Sequence, residues 1–257
     1  MLRELTQDEL AGALDAVASE ALDAAAPSGP PIDALKLAQA LALTVAWDDR
    51  QSGRGRVVRL GQYAGPQSRG SILLRHDPRP ERLQWAIAHE IGELFAARVF
   101  ARLAIDPREA PSGSRENVAN QLAGRLLLPA DRFQEAGTAC GWDLFALKQQ
   151  FSTASHELIA RRMLDLPYSI AITIFDNDRR TFRRGNLPGR LPPLLPLERA
   201  AWRTARETGQ AVAEADHLCR VQAWPVHEPE WKREILRTEW SAAEDNQASE
   251  AWLQDAE

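Results

Sequence analysis

The chain has 257 residues, 44% hydrophobic and 26% charged, with 31 basic against 36 acidic side chains and a formal net charge of −5. These are the proportions of an ordinary globular protein long enough for one large core or two modest ones. Cys140 and Cys219 stand in no CxxC or other ligand spacing, the opening MLRELTQDELAGALDA is acidic and amphipathic, and no run of about 18 apolar residues occurs. A disulfide framework, a thiolate zinc site, secretion and a membrane span are therefore not expected, and the reducing cytoplasm is.

In chain order, Leu10, Ala13, Leu14, Val17, Ala21 and Leu22 fall at helical spacing within residues 6–26, and the run stops at Pro27-Ser28-Gly29-Pro30-Pro31. Asp33 can cap a second helix through about Leu41. Leu43, Val45 and Trp47 then alternate as a strand, with β-like runs at 57–60 and 71–74, which predicts a small antiparallel sheet. Asp77-Pro78-Arg79-Pro80 is a helix-start signal ahead of a long helical run, 82–100, and Ser114 is placed to cap a helix ending at Pro129. Shorter helices are expected at 143–151 and 155–164. Beyond Pro167 the pattern turns to strands at 168–175 and 181–183 around the turn Asp176-Asn177-Asp178, a helix at 197–209, a strand at 219–224 and a short helix at 231–237. From Glu239 to the end there are six acidic and no basic residues, expected as a disordered tail.

The chemistry concentrates in Ala88-His89-Glu90-Ile91-Gly92-Glu93. His89 and Glu93 are spaced i and i+4, so an imidazole and a carboxylate lie one above the other on a helix face, as a divalent cation requires. Glu90, about 100° round the turn, can reach a water beside that cation without ligating it. A third ligand is expected from the next helix, Glu116, with Asn120 on the same face one turn later. The set would be one nitrogen and two carboxylate oxygens with an open position, suited to hydrolysis with Glu90 as general base. Alone, an HExxE spacing also describes a solvated helix face; the apolar flanks Trp85, Ile87, Ala88, Ile91, Leu94 and Phe95 point instead to a buried helix whose ionisable groups need partners.

AHEIGE, followed by Glu116-Asn117-Val118-Ala119-Asn120-Gln121-Leu122-Ala123-Gly124-Arg125-Leu126-Leu127-Leu128-Pro129, resembles the two motif helices of the ImmA/IrrE family of cytoplasmic metallopeptidases. PIDALKLAQALALTVAWDD resembles that family's helix-then-strand, and LKQQFSTASHELIARRMLDLP its helix-turn-helix-like element; together the similarity spans residues 15 to about 175. The resemblance implies an α+β fold: a mainly helical, zincin-like metallopeptidase domain over 1–166 with helix-turn-helix-like helices at about 142–165, then a small α+β module at 167–238 and the tail at 239–257. It also implies a metal, Zn²⁺ first with Mn²⁺ or Fe²⁺ admissible, held by His89, Glu93 and Glu116, with Glu90 catalytic. The implied activity is endopeptidase action on a regulatory protein such as a helix-turn-helix repressor, in stress responses, mobile elements or phage. Glu93 stands where the family has a second histidine, giving a harder and more anionic donor set. The alternative is an inactive or weak metallopeptidase-fold regulator that binds DNA or a repressor.

Other features carry less. His156-Glu157 has no ligand four residues on, and His217 and His227 lack a third ligand at useful spacing. Arg161 and Arg162, balanced by Glu157 and Asp165, give the helix-turn-helix reading of 142–164 little positive face. Arg179, Arg180, Arg183, Arg184 and Arg190 suit a charge-protected edge strand or a phosphate patch. Trp202, Trp224 and Trp231 are expected to build a second small core. Residues 26–238 sum to +6 between acidic ends, which keeps an anionic partner such as DNA among the alternatives.

Overall fold

The computed structural model describes residues 6–26, 29–50, 55–59, 70–111, 113–186 and 189–240. The chain divides into two units, one of residues 1–142 and 146–155, the other of 143–145 and 156–257.

The first unit opens with α1 (Gln7–Ala25), started by a reciprocal capping box between Thr6 and Glu9, and α2 (Ala34–Ala40), whose cap Asp33 accepts from the backbone N–H groups of Leu35 and Lys36. Strands β1 (Thr44–Trp47), β2 (Gly55–Arg59) and β3 (Gly70–Leu74) form a sheet in the order β1-β3-β2. The expected antiparallel pairing holds between β2 and β3, with Val57 opposite Ile72, whereas β1 runs parallel to β3. Direction reverses at each step along the chain and β3 inserts between its predecessors, so β1 and β3 point the same way. Helices α3 (Pro80–Arg102), α4 (Ser114–Leu127) and α5 (Ala130–Ala139) follow, with α6 (Leu144–Gln150) at the division between the units.

Two local expectations change here. The cap of α4 is Gly113, in a left-handed conformation, so Ser114 is the first helical residue. Pro129 follows the end of α4 and caps α5, a helix that the sequence pattern does not mark. Its core-facing residues are only Phe133, Ala136 and Gly137, too few apolar positions to make a clear period.

In the second unit, α7 (His156–Arg162) and a 3-10 turn (Met163–Asp165) precede a five-stranded antiparallel sheet ordered β5-β4-β8-β7-β6. Its strands are β4 (Ile170–Asp176), β5 (Arg179–Gly185), β6 (Val212–Ala215), β7 (Cys219–Glu228) and β8 (Trp231–Trp240), with α8 (Pro196–Thr208) between β5 and β6. The short helix expected at 231–237 is instead the central strand β8, paired with both β4 and β7. Helix-like spacing of Trp231 and Ile235 misleads there, because β8 is buried on both sides and Glu234, Arg237 and Thr238 are buried with the apolar residues.

A second core is present, and of the three expected tryptophans Trp202 packs against it. Phe175, Ala201, Ala205, Val221, Ala223 and Leu236 pack together, and Trp202 stacks on Phe175 with ring centroids 4.4 Å apart. Trp224 is buried and donates its indole N–H to Asp143, while Trp231 is partly buried beneath the Arg233 guanidinium. Arg162 is buried against Asp165 and Arg161 pairs with Glu157. The acidic segment expected as a tail lies outside the described residues from 241 onward; its first two residues, Glu239 and Trp240, end β8. No helix among the described residues is long and apolar enough to cross a membrane.

Candidate metal centre

The helix that carries the centre starts where the sequence signals it: Pro80 occupies the first turn, its missing N–H costing nothing there, and Asp77 accepts from the Arg79 N–H at 2.9 Å. Ala86, Ile87, Ala88, Glu90, Ile91 and Gly92 are buried, since α3 packs against α1, α2, α4 and the sheet. A helix enclosed on several sides is apolar around most of its circumference, which is the pattern of its flanks.

What brings α4 close is Gly92. A β-carbon there would lie 2.5 Å from the Ala119 carbonyl oxygen and 3.1 Å from its Cα, so the two backbones meet at a point that only glycine permits. Contacts flank this crossing in antiparallel order: His89 meets Asn120 and Glu116, and Glu93, one turn on, meets Arg115.

The three anticipated ligands converge. One donor atom from each of His89, Glu93 and Glu116 lies within 4.8 Å of the others, and His89 Nε2 is 3.6 Å from Glu116 Oε2. Donors about 2.0–2.2 Å from a shared tetrahedral cation stand about 3.4 Å apart, so the histidine–glutamate edge already has the required span. The donor chemistry, one imidazole and two carboxylates, suits zinc and also manganese or iron. His89 and Glu93 are partly buried, while the Glu116 side chain is 63% exposed, so the centre opens to solvent on the α4 side. Glu90 is buried, 7% exposed, on the turn between His89 and Glu93.

Two further residues complete the arrangement. Asn120 links His89 and Glu116: its Oδ1 lies 3.1 Å from His89 Nδ1, and its Nδ2 donates to Glu116 Oε1 at 3.1 Å. With the proton on Nδ1 directed at Asn120, the lone pair is on Nε2, the nitrogen beside Glu116. Arg115 donates from Nε to Glu93 Oε2 at 2.6 Å and from a terminal nitrogen to the Glu93 backbone carbonyl at 3.0 Å. The shared face of Glu116 and Asn120 was visible in the sequence. Arg115 was not, because an arginine one residue before Glu116 carries no signal until the helix crossing is known.

Residues 50–164 match the IrrE N-terminal-like domain, a peptidase family. This stretch of the chain is similar to an IrrE N-terminal-like domain. It contains α3 and α4 whole, and with them every residue of the centre. No curated protein matches the chain. Among solved structures it is similar to a Mycobacterium tuberculosis transcriptional regulator, with a TM-score of 0.62 and 16% identity over 88% of this chain and 75% of that one. At that identity the likeness is one of fold, and it extends beyond residues 50–164.

The remaining candidates are occupied elsewhere. His156 makes an edge contact with Phe145, His227 Nε2 sits 2.7 Å from the buried Glu234, and His217 is exposed. Within the arginine cluster, Arg183 turns inward to a buried ion pair with Glu198 at 2.8 Å, and Glu198 also accepts from Thr238 at 2.6 Å. A cavity of about 460 Å³ between α1 and the start of α5 contains none of the residues of the centre.

Proposed function

We propose that the protein is a metal-dependent endopeptidase acting on a regulatory protein, with His89, Glu93 and Glu116 as metal ligands and Glu90 as general base. The observation that carries this reading is the convergence of those three side chains within 4.8 Å beside a buried glutamate on the same helix turn. A bound divalent cation supplies a Lewis acid that polarises a carbonyl and makes water a better nucleophile near neutral pH.

The protein's own groups do the rest. Glu90 takes the proton of the attacking water and returns it to the departing amine nitrogen, so one carboxylate serves as base and then as acid. Asn120 fixes the tautomer of His89, and the backbone contact at Gly92 and Ala119 fixes the separation of the ligand-bearing helices. The exposure of Glu116 suits a polypeptide substrate laid along the surface rather than a small molecule enclosed in a pocket. A helix-turn-helix repressor is the substrate that the resemblance to ImmA/IrrE peptidases favours, in the cytoplasm, with zinc as the metal.

The rival reading is a regulator that binds a repressor or DNA without cleavage. One observation favours it: the carboxylate of Glu93 is already engaged by Arg115. Glu90→Gln separates the two. With metal bound to both proteins, wild type should fragment a co-encoded repressor, and Glu90→Gln should do so at least about 100-fold more slowly. Equal fragmentation by both, or none by either, contradicts the peptidase reading.

A further inference from the structure

Resting on the metal centre proposed above, a consequence follows from the partner of Glu93. A donor set of one neutral imidazole and two carboxylates carries two formal negative charges, which binds a dication tightly but donates so much charge that the cation is a weak Lewis acid. Arg115 is placed against that excess. Its guanidinium forks across Glu93, Nε to Oε2 at 2.6 Å and a terminal nitrogen to the backbone carbonyl at 3.0 Å, so side chain and main chain are held together. Glu116, the other carboxylate, is bound instead by the neutral amide of Asn120. The positive charge therefore falls on one ligand of the two.

We propose that Arg115 is a positioning and counter-charge residue of the centre: it orients Glu93 through one oxygen, leaves the other for the metal, and gives up metal affinity in return for Lewis acidity. A carboxylate has about four lone-pair sites, so bonding to a guanidinium and ligation are compatible. Arg115 acts on the centre through Glu93; its own side chain is 60% exposed and that of Glu93 23%, so its removal leaves the Glu93 carboxylate partly in contact with water.

The direction of the effect separates this role from a merely structural one. If Arg115 only held Glu93 in place, its loss would weaken metal binding, as loss of an outer partner commonly does by about 10–100-fold. If its charge dominates, removing a cation next to a dication tightens binding, and added salt shrinks the difference. The test is competition titration of Zn²⁺ against a chromophoric chelator with the full chain. Arg115→Gln should bind Zn²⁺ about tenfold more tightly than wild type at low salt, a gap that narrows at high salt. Arg115→Lys should stay within about threefold of wild type, since it keeps the charge on which the effect rests even though it loses the fork. In a Glu93→His background, where the guanidinium has lost its anchor, Arg115→Gln should change affinity less than about twofold.

Unchanged or weaker binding by Arg115→Gln in the wild-type background overturns the proposal while leaving the metal centre intact. So does a tenfold gain that persists in Glu93→His. Failure of wild type to bind Zn²⁺ at all overturns both this inference and the functional reading beneath it.

Discussion

Gly92 of α3 lies against Ala119 of α4 so closely that a single added carbon would stand 2.5 Å from the Ala119 carbonyl oxygen. The opposing atom is backbone, which cannot rotate away, so Gly92→Ala must push the helices apart. Overpacking of this kind costs about 1–3 kcal/mol, and the displacement falls between His89 and Glu116, whose side chains must stay within reach of one cation. We expect Gly92→Ala to lower the urea midpoint of the first unit and to bind metal more weakly than wild type. Wild-type values for both would show that the helices are not held at that point.

Asn120 is predicted to matter almost as much as a ligand. Asn120→Ala removes the acceptor at His89 Nδ1 and the donor at Glu116 Oε1 together. Outer partners of metal ligands typically contribute 10–100-fold in affinity, so Zn²⁺ affinity should fall by about that factor while the fold, followed by circular dichroism, persists. An affinity within twofold of wild type would mean that the tautomer of His89 is set by something else.

Much of this centre was legible in the sequence, for identifiable reasons. The i, i+4 spacing of His89 and Glu93 is fixed by helix geometry once α3 is recognised, and Pro80 together with the apolar residues around His89 marks α3 plainly. Glu116 was legible as the acid that begins the next helix, on the face it shares with Asn120 one turn later. Arg115 was not accessible, because its partner is chosen by where two helices cross, which no local pattern encodes. The same limit explains β8, expected as a short helix: Glu234 is bonded by Trp202, Arg206 and His227, and Arg237 by Gln222 and Glu239. Most of those partners lie on other elements, so a sequence of mixed character that suggests an amphipathic helix becomes a central strand. Pro129 shows a subtler ambiguity, since a proline that stops one helix can begin the next.

The acid limb of stability in the second unit should depend on Asp176. Burial pushes its carboxyl upward, but the Arg233 guanidinium and the Thr181 hydroxyl outweigh burial and hold it below the ordinary carboxylate range. A depressed folded value means that the contribution is complete above the unfolded carboxyl's titration, near pH 3.9, and is lost as pH falls through the folded value. Asp176→Asn should therefore cost about 1.5–3 kcal/mol at pH 7, by urea unfolding, and the difference from wild type should shrink under acid conditions. A difference that is constant with pH would contradict the charge-based account.

The two thiols should behave differently. Cys219 is 1% exposed, and burial, then the nearby Asp216 and Glu198 carboxylates, push its pKa up to about 12. Cys140 is only partly buried. Because the thiolate is the reactive species, a native sample at pH 8 should titrate one thiol promptly with a chromogenic disulfide and the second only after denaturation. Prompt reaction of both would show that the second core opens readily.

The central claim is that His89, Glu93 and Glu116 hold one divalent metal ion. Its most direct test is elemental analysis of purified wild type and Glu93→Ala after identical metal loading and exhaustive dialysis. The account predicts about one equivalent of metal in wild type and a substantial loss in Glu93→Ala. Equal metal content in the two proteins would contradict it.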